Sequence, residues 1–266
     1  MENRTRKIAK LALSGLAAVV ALLGLYISFF FFPYPLFPHH TEQAGFSVYS
    51  DREIPEDFER NLEDARLRVE GMELYRGDKD LRIFLCFSQR KFVTLNRMAG
   101  KRHYGQALVI SVAGNAFFSK RGIETVARRN RGQPIHSRLE GSWSAAIAHE
   151  VAHDLIFSEV GYREARRIPP WKAEGSADFM ANRASAESDP DYSLTDRVTY
   201  LLDDDNWQSP VTTIDRRHFR WHLLVEYLNT VKEIGFADLL SDDITEDGAW
   251  TEMMAWYRSL EPPDHP

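Results

Sequence analysis

Twenty-two consecutive residues, Leu11 to Phe32, carry no charged side chain. As a helix this run would extend ~33 Å, enough to cross a bilayer core of ~30 Å. It has no polar face with which to lie on a water-soluble core, so a membrane-spanning helix is the reading that fits. The run ends in FFFFPYPLFP, which is bulky where a signal-peptide cleavage site needs small residues, and it is therefore read as an uncleaved anchor. Arg4, Arg6, Lys7 and Lys10 lie on its N-terminal flank, and the next Lys or Arg is Arg52. The positive-inside rule then predicts a cytoplasmic N-terminus and an exported remainder, with the lipid bilayer as the partner of residues 1–33. That layout suits the periplasmic face of a bacterial inner membrane.

Pro33, Pro35 and Pro38 stop the helix, and residues 34–43 read as a linker. Residues 44–136 read as a mainly β subdomain, with strands expected at FSVYS (46–50), LRIFLCFS (81–88), FVTL (92–95), ALVISV (107–112) and GNAFFS (114–119). One helix interrupts them, starting near Pro55, placing Phe58, Leu62, Ala65 and Val69 on one face and ending at Gly71. Residues 137–266 read as a helical subdomain, with helices expected over about 142–157, 174–186, 195–202, 215–232 and 249–260. The fourth of these starts at an Asp215 cap, carries Trp221, Leu224, Val225, Leu228 and Val231 on its apolar face, and stops at Gly235. The expected fold class is α+β: a small mixed β-sheet followed by a helical half. A net charge of −6 without a long basic stripe argues against nucleic acid as a partner. Arg128, Arg129 and Arg131 read as a solvated loop, and the single cysteine, Cys86, reads as a small core residue within a strand.

The stretch AAIAHEVAHDLI (145–156) is apolar enough for a buried helix, yet it holds His149, Glu150 and His153. Burying three such groups without partners would cost several kcal/mol. His149 and His153 are four apart, so on a helix they lie one turn above the other on a single face and can grip one metal ion. Glu150 projects about 100° further round, where it can act on water without ligating the metal. A catalytic zinc ion takes three protein ligands and leaves one position open, so a third ligand is expected elsewhere.

PPWKAEGSAD (169–178) supplies a candidate, because Glu174 lies 21 residues beyond His153 after a loop long enough to bring a second helix back. H-E-x-x-H followed by W-x-x-E-G-x-A-D resembles the gluzincin metallopeptidases, the thermolysin-like and peptidase MA-like enzymes. The resemblance implies that Glu174 is the third zinc ligand and that Asp178 orients the first histidine. A ligating histidine commonly donates its other N–H to a carboxylate, which agrees with that role. GNAFF is similar to the run with which this family pairs substrate backbone from an edge strand. It implies substrate binding by Asn115 and Ala116 through β-augmentation, a plain core strand being the alternative. The family also places an oxyanion donor in its helical half, for which His218 is the candidate, with Tyr162 and Tyr200 as rivals. Firm motifs cover only 149–153 and 171–178.

The expected function is a membrane-anchored zinc metallopeptidase with one Zn2+, acting on a peptide or protein substrate outside the cytoplasm. His149, His153 and Glu174 would hold the metal, Glu150 would act as general base, and His218 would assist as the oxyanion donor. A zinc hydrolase of another amide or cell-wall bond would use the same residues. An inactive binding module on the same fold is the further alternative, against which retention of Glu150 argues.

Overall fold

The computed structural model describes residues 2–77, 79–99, 107–110, 114–120, 142–207 and 215–260. The chain begins with α1 (Glu2–Phe31), a single helix whose apolar side chains from Leu11 to Leu25 are exposed. Its segment Lys10–Phe29 is long and apolar enough to cross a membrane. Beyond it the fold is α+β and predominantly helical, with one small mixed sheet.

The sheet has five strands: β1 (His39–Gln43), β2 (Phe46–Ser50), β3 (Leu81–Cys86), β4 (Ala107–Ile110) and β5 (Asn115–Ser119), in the order β1-β2-β3-β5-β4. The parallel pairs β2/β3 and β3/β5 form its centre, and antiparallel β1 and β4 flank them. Residues 39–43, read as linker from the sequence, thus form a strand instead. They return on β2 through a two-residue turn in which Ala44 and Gly45 both have positive φ, the backbone of a tight hairpin. Helix α2 (Glu56–Glu70) crosses from β2 to β3, as a parallel pairing requires.

The apolar run of β3 is continuous because both of its faces are covered. Leu81, Ile83 and Leu85 face one core, with α2 and α4 (Trp143–Val160), while Phe84 and Cys86 face another, with Phe92 and Leu95. Those last two lie on α3 (Gln89–Met98), so FVTL is helical, contrary to the strand expected there. Ser88 caps α3 by accepting from the Lys91 N–H, and Phe92, Leu95 and Asn96 recur at helical spacing. A four-residue window with β-branched Val93 and Thr94 hid that period. Cys86 is buried, as expected, and burial raises its thiol pKa, which leaves it a core residue. The β4 expectation is met over 107–110, whereas residues 111–112 and the Arg128–Arg131 loop lie outside the described residues.

The helical half continues with α5 (Tyr162–Ala165), α6 (Pro170–Ser188), α7 (Leu194–Leu202), α8 (Arg216–Thr230), α9 (Phe236–Leu239) and α10 (Glu246–Leu260). Asp215 caps α8 as expected, by accepting from the Arg217 N–H. The end of α8 differs, because the left-handed residue is Glu233 (φ 58°), while Gly235 has φ −69° and opens α9, and Val231 is exposed. Packing does not divide the chain at residue 136. Val48, Ile83, Leu62, Ile147, Val151 and Ala177 join one cluster built from the sheet, α2, α4 and α6. A second cluster gathers Trp171, Phe179, Phe219, Leu224 and Met253 from α6, α8 and α10.

Helix α6 belongs to both clusters, and Gly175 is what lets α8 come close. A Cβ built on Gly175 would lie 2.5 Å from the Trp221 carbonyl oxygen, which is backbone and cannot step aside. Gly175→Ala is therefore expected to destabilise the fold by about 1–3 kcal/mol through overpacking. Urea denaturation of the two proteins measures the difference, and an unchanged midpoint would show that the two helices can separate at no cost.

Candidate metal centre

Helix α4 is apolar around most of its circumference because it is packed by α2, the sheet and α6 together. Ser142 caps its start by accepting from the Ala145 N–H. His149 and His153 lie on the side facing α6, which offers Glu174 and Asp178 one turn apart. His149 Nε2 and His153 Nε2 are 3.0 Å apart, and Glu174 Oε2 is 3.4 Å from the first and 3.3 Å from the second. These three atoms make the one group able to hold a metal ion among the described residues.

The triangle can be tested against the chemistry of a cation. Zinc bonds of about 2.0–2.1 Å at tetrahedral angles put ligand atoms about 3.3–3.4 Å apart. The observed edges of 3.0, 3.3 and 3.4 Å fit that spacing. The tautomer fits as well: His149 Nδ1 lies 2.7 Å from Asp178 Oδ1, and an ionised carboxylate can only accept, so Nδ1 carries the proton. In the neutral ring the Nε2 lone pair is then directed toward the other two ligand atoms. Two imidazoles and one carboxylate are a donor set that suits zinc.

The charges around the triangle attract a cation of any kind. Burial disfavours a charged His149, but the Asp178, Glu174 and Glu150 carboxylates outweigh it and raise its pKa well above the ordinary value. Burial likewise acts to raise the Glu174 and Asp178 carboxyls, yet the neighbouring histidines hold both below the usual range. For Asp178 those neighbours include His149 and then His222 and His218.

Other expected site residues fall into place unevenly. Glu150 is half-buried on α4 and is outside the ligand triangle, and it lines a small recess with Asn115, Ala116 and Asp154. Asn115 and Ala116 are therefore near Glu150, but the expected edge-strand role is corrected. Strand β5 pairs with β3 on one side and β4 on the other, so its backbone cannot receive a further strand. Among the described strands the outermost on that side is β4, whose Val109 and Ile110 are in register with Ala116 and Asn115. His218 is half-buried in the first turn of α8, its ring 5.1 Å from that of Trp221. Tyr162 is exposed on α5, and Tyr200 packs on Trp207 and Phe219.

Two features escaped the sequence reading. Asp154, directly after His153, is buried and pairs with Lys79 at 2.5 Å, pinning α4 to the segment that enters β3. His222 is buried one turn beyond His218, where Arg197 Nη1 lies 3.3 Å from its Nε2. Arg197 pairs with buried Glu226 at 2.8 Å, and the Tyr192 hydroxyl donates to the same carboxylate. The signal for this network was faint, because Arg197, His222 and Glu226 come from two helices and converge only when these pack. Set against known proteins, the chain matches no family model and no curated protein.

Two outcomes are expected from the geometry. Asp178→Asn should weaken Zn2+ binding about 10–100-fold, read by chelator competition, because the neutral amide no longer fixes the His149 tautomer. The raised His149 pKa contributes stability that is complete below the unfolded value of about 6.5 and is lost as pH rises through the folded value. The lowered Glu174 and Asp178 carboxyls contribute above about pH 4 and lose that contribution on acidification. Chelator-treated protein should thus melt at falling temperature as pH rises above about 6.5, and added Zn2+, which competes with the proton, should reverse that slope. A chelated protein whose melting temperature climbs over that range would contradict the assignment.

Proposed function

We propose that the chain is a membrane-anchored zinc metallopeptidase of gluzincin type, with α1 as the anchor and the folded body outside the cytoplasm. The observation that carries this reading is the convergence of His149 Nε2, His153 Nε2 and Glu174 Oε2 within 3.4 Å, with Glu150 beside the triangle but outside it. Among the described residues the group has three members, which suits a reactive site, whereas a structural zinc is enclosed by four. The ion, when bound, supplies Lewis acidity, polarising the scissile carbonyl and lowering the pKa of water to ~7.

The side chains do the rest. Glu150 accepts a proton from the attacking water and delivers it to the departing amine, so that the proton gained in one half of the reaction is spent in the other. Asp178 holds His149 in the tautomer whose Nε2 is a ligand. His218, in the first turn of α8 and near enough to Asp178 to lower its pKa, donates to the oxyanion of the tetrahedral intermediate. Among the described strands β4 is the outermost of the sheet on the side of β5, and it is the strand that could pair with an extended peptide substrate.

The test uses the full chain in lipid nanodiscs, with bound zinc quantified, beside its Glu150→Gln variant on a mixed peptide library. The variant is expected to retain zinc and to lose at least about 10²-fold of the cleavage rate. Equal cleavage by both proteins would trace the activity to a contaminant. A zinc-loaded wild-type chain that cleaves no peptide would turn the assignment toward a hydrolase of another bond.

A further inference from the structure

The sequence segregates its charge in a way that the metal centre does not use. Residues 81–123 contain eight Lys or Arg residues and no Asp or Glu, in a chain whose net charge is −6. Helix α3 lies in this segment. It buries Phe92 and Leu95 against Phe84 and Phe117 of the sheet and leaves Arg90, Thr94 and Arg97 exposed. Spacings of four and three place those three side chains in one stripe along the outer face.

The position of this stripe relative to α1 is fixed by contacts. The Tyr26 hydroxyl donates to the Met98 carbonyl at the C-terminal end of α3. Tyr26 lies three residues, or about 4.5 Å, before Phe29, the last residue of the apolar span. That is the depth at which hydrocarbon gives way to headgroups, where tyrosine is favoured. The junction between α1 and the sheet is clamped. Arg82 Nη1 donates to the Tyr34 hydroxyl at 2.9 Å, and Lys91 Nζ donates to the Leu36 carbonyl at 2.6 Å. Lys91 also pairs with half-buried Asp51 at 3.3 Å, and the Phe37 ring packs edge-on against Phe84, centroids 5.1 Å apart. The folded body therefore hangs from α1 on a packed joint, with α3 as the element beside the outer turns of the helix.

We propose that the exposed face of α3 lies in the headgroup layer of the bilayer crossed by α1, where Arg90 and Arg97 bind anionic phospholipid and fix the orientation of the metal centre above the membrane. This rests on α1 being a membrane anchor. The charge supports it: Arg90 and Arg97 are exposed on a segment that contributes no Asp or Glu of its own, an excess of positive charge that favours phosphatidylglycerol over a zwitterionic surface.

The test places a spin-quenchable fluorophore at Thr94→Cys in the full chain, with Cys86 protected by burial. The labelled chain is incorporated in nanodiscs of phosphatidylcholine alone or mixed with phosphatidylglycerol, each doped with headgroup-spin-labelled lipid. Quenching is expected to be at least about twofold stronger in the anionic discs, and to fall at high salt or with Arg90→Glu/Arg97→Glu. Equal quenching in both lipids, unaffected by the double substitution, would overturn the proposal, since α1 alone would then set the position. Alkaline carbonate extraction reports on the anchor by itself. Release of the chain would sink the anchor and the proposal together, whereas a retained chain with lipid-independent quenching would sink only the docking of α3.

Discussion

Bringing two imidazole nitrogens and a carboxylate oxygen within 3.4 Å of one another is the constraint on which the helical half is built. The groups come from α4 and α6, so the two helices must cross at a fixed register. α4 is held from behind by α2 and the sheet, and Asp154 pins its outer end through Lys79. α6 is held by α8, whose backbone comes so near that Gly175 leaves no room for a methyl group. Arg68 of α2 adds a tie, donating to the Ala181 carbonyl at 2.9 Å and to Asn182 at 3.1 Å. Each of these contacts limits how far the ligand triangle can open.

Behind Asp178 lies a polar interior that does related work. Arg197 and Glu226 are both buried, and a lone ion pair in such a place barely recovers its desolvation cost. Here Tyr192 and His222 supply further hydrogen-bonding partners, so the network is shared among several groups. It joins α7 to α8 and holds His222 Nε2 beside Arg197 and Glu226.

The sheet connects the two ends of the molecule. Alternate residues of β3 face α2 and α4 on one side and the joint with α1 on the other. Glu150 shares its recess with Arg82, and Arg82 also holds Tyr34 just beyond the end of α1. A single strand therefore relates the candidate site to α1 through packed side chains.

The sequence alone determined the elements whose signal is local. The uncharged run of α1, the capped helices α4 and α8, the period of α2 and the pair of motifs around His149 and Glu174 are all written in short windows, because capping, periodicity and i,i+4 spacing act over one or two turns. The order of the strands was not legible, so nothing local could test the edge-strand role that the resemblance implied for Asn115 and Ala116, whose strand lies between β3 and β4. FVTL was misread for the related reason that four residues cannot distinguish a half-buried strand from one face of a helix. Only the tertiary structure decided that residues 39–43 join the sheet, that Gly175 sets the spacing of α6 and α8, and that Arg197, His222 and Glu226 meet. These are contacts between segments distant in sequence, and their energies depend on which surfaces pack together, a quantity no local pattern of residues contains.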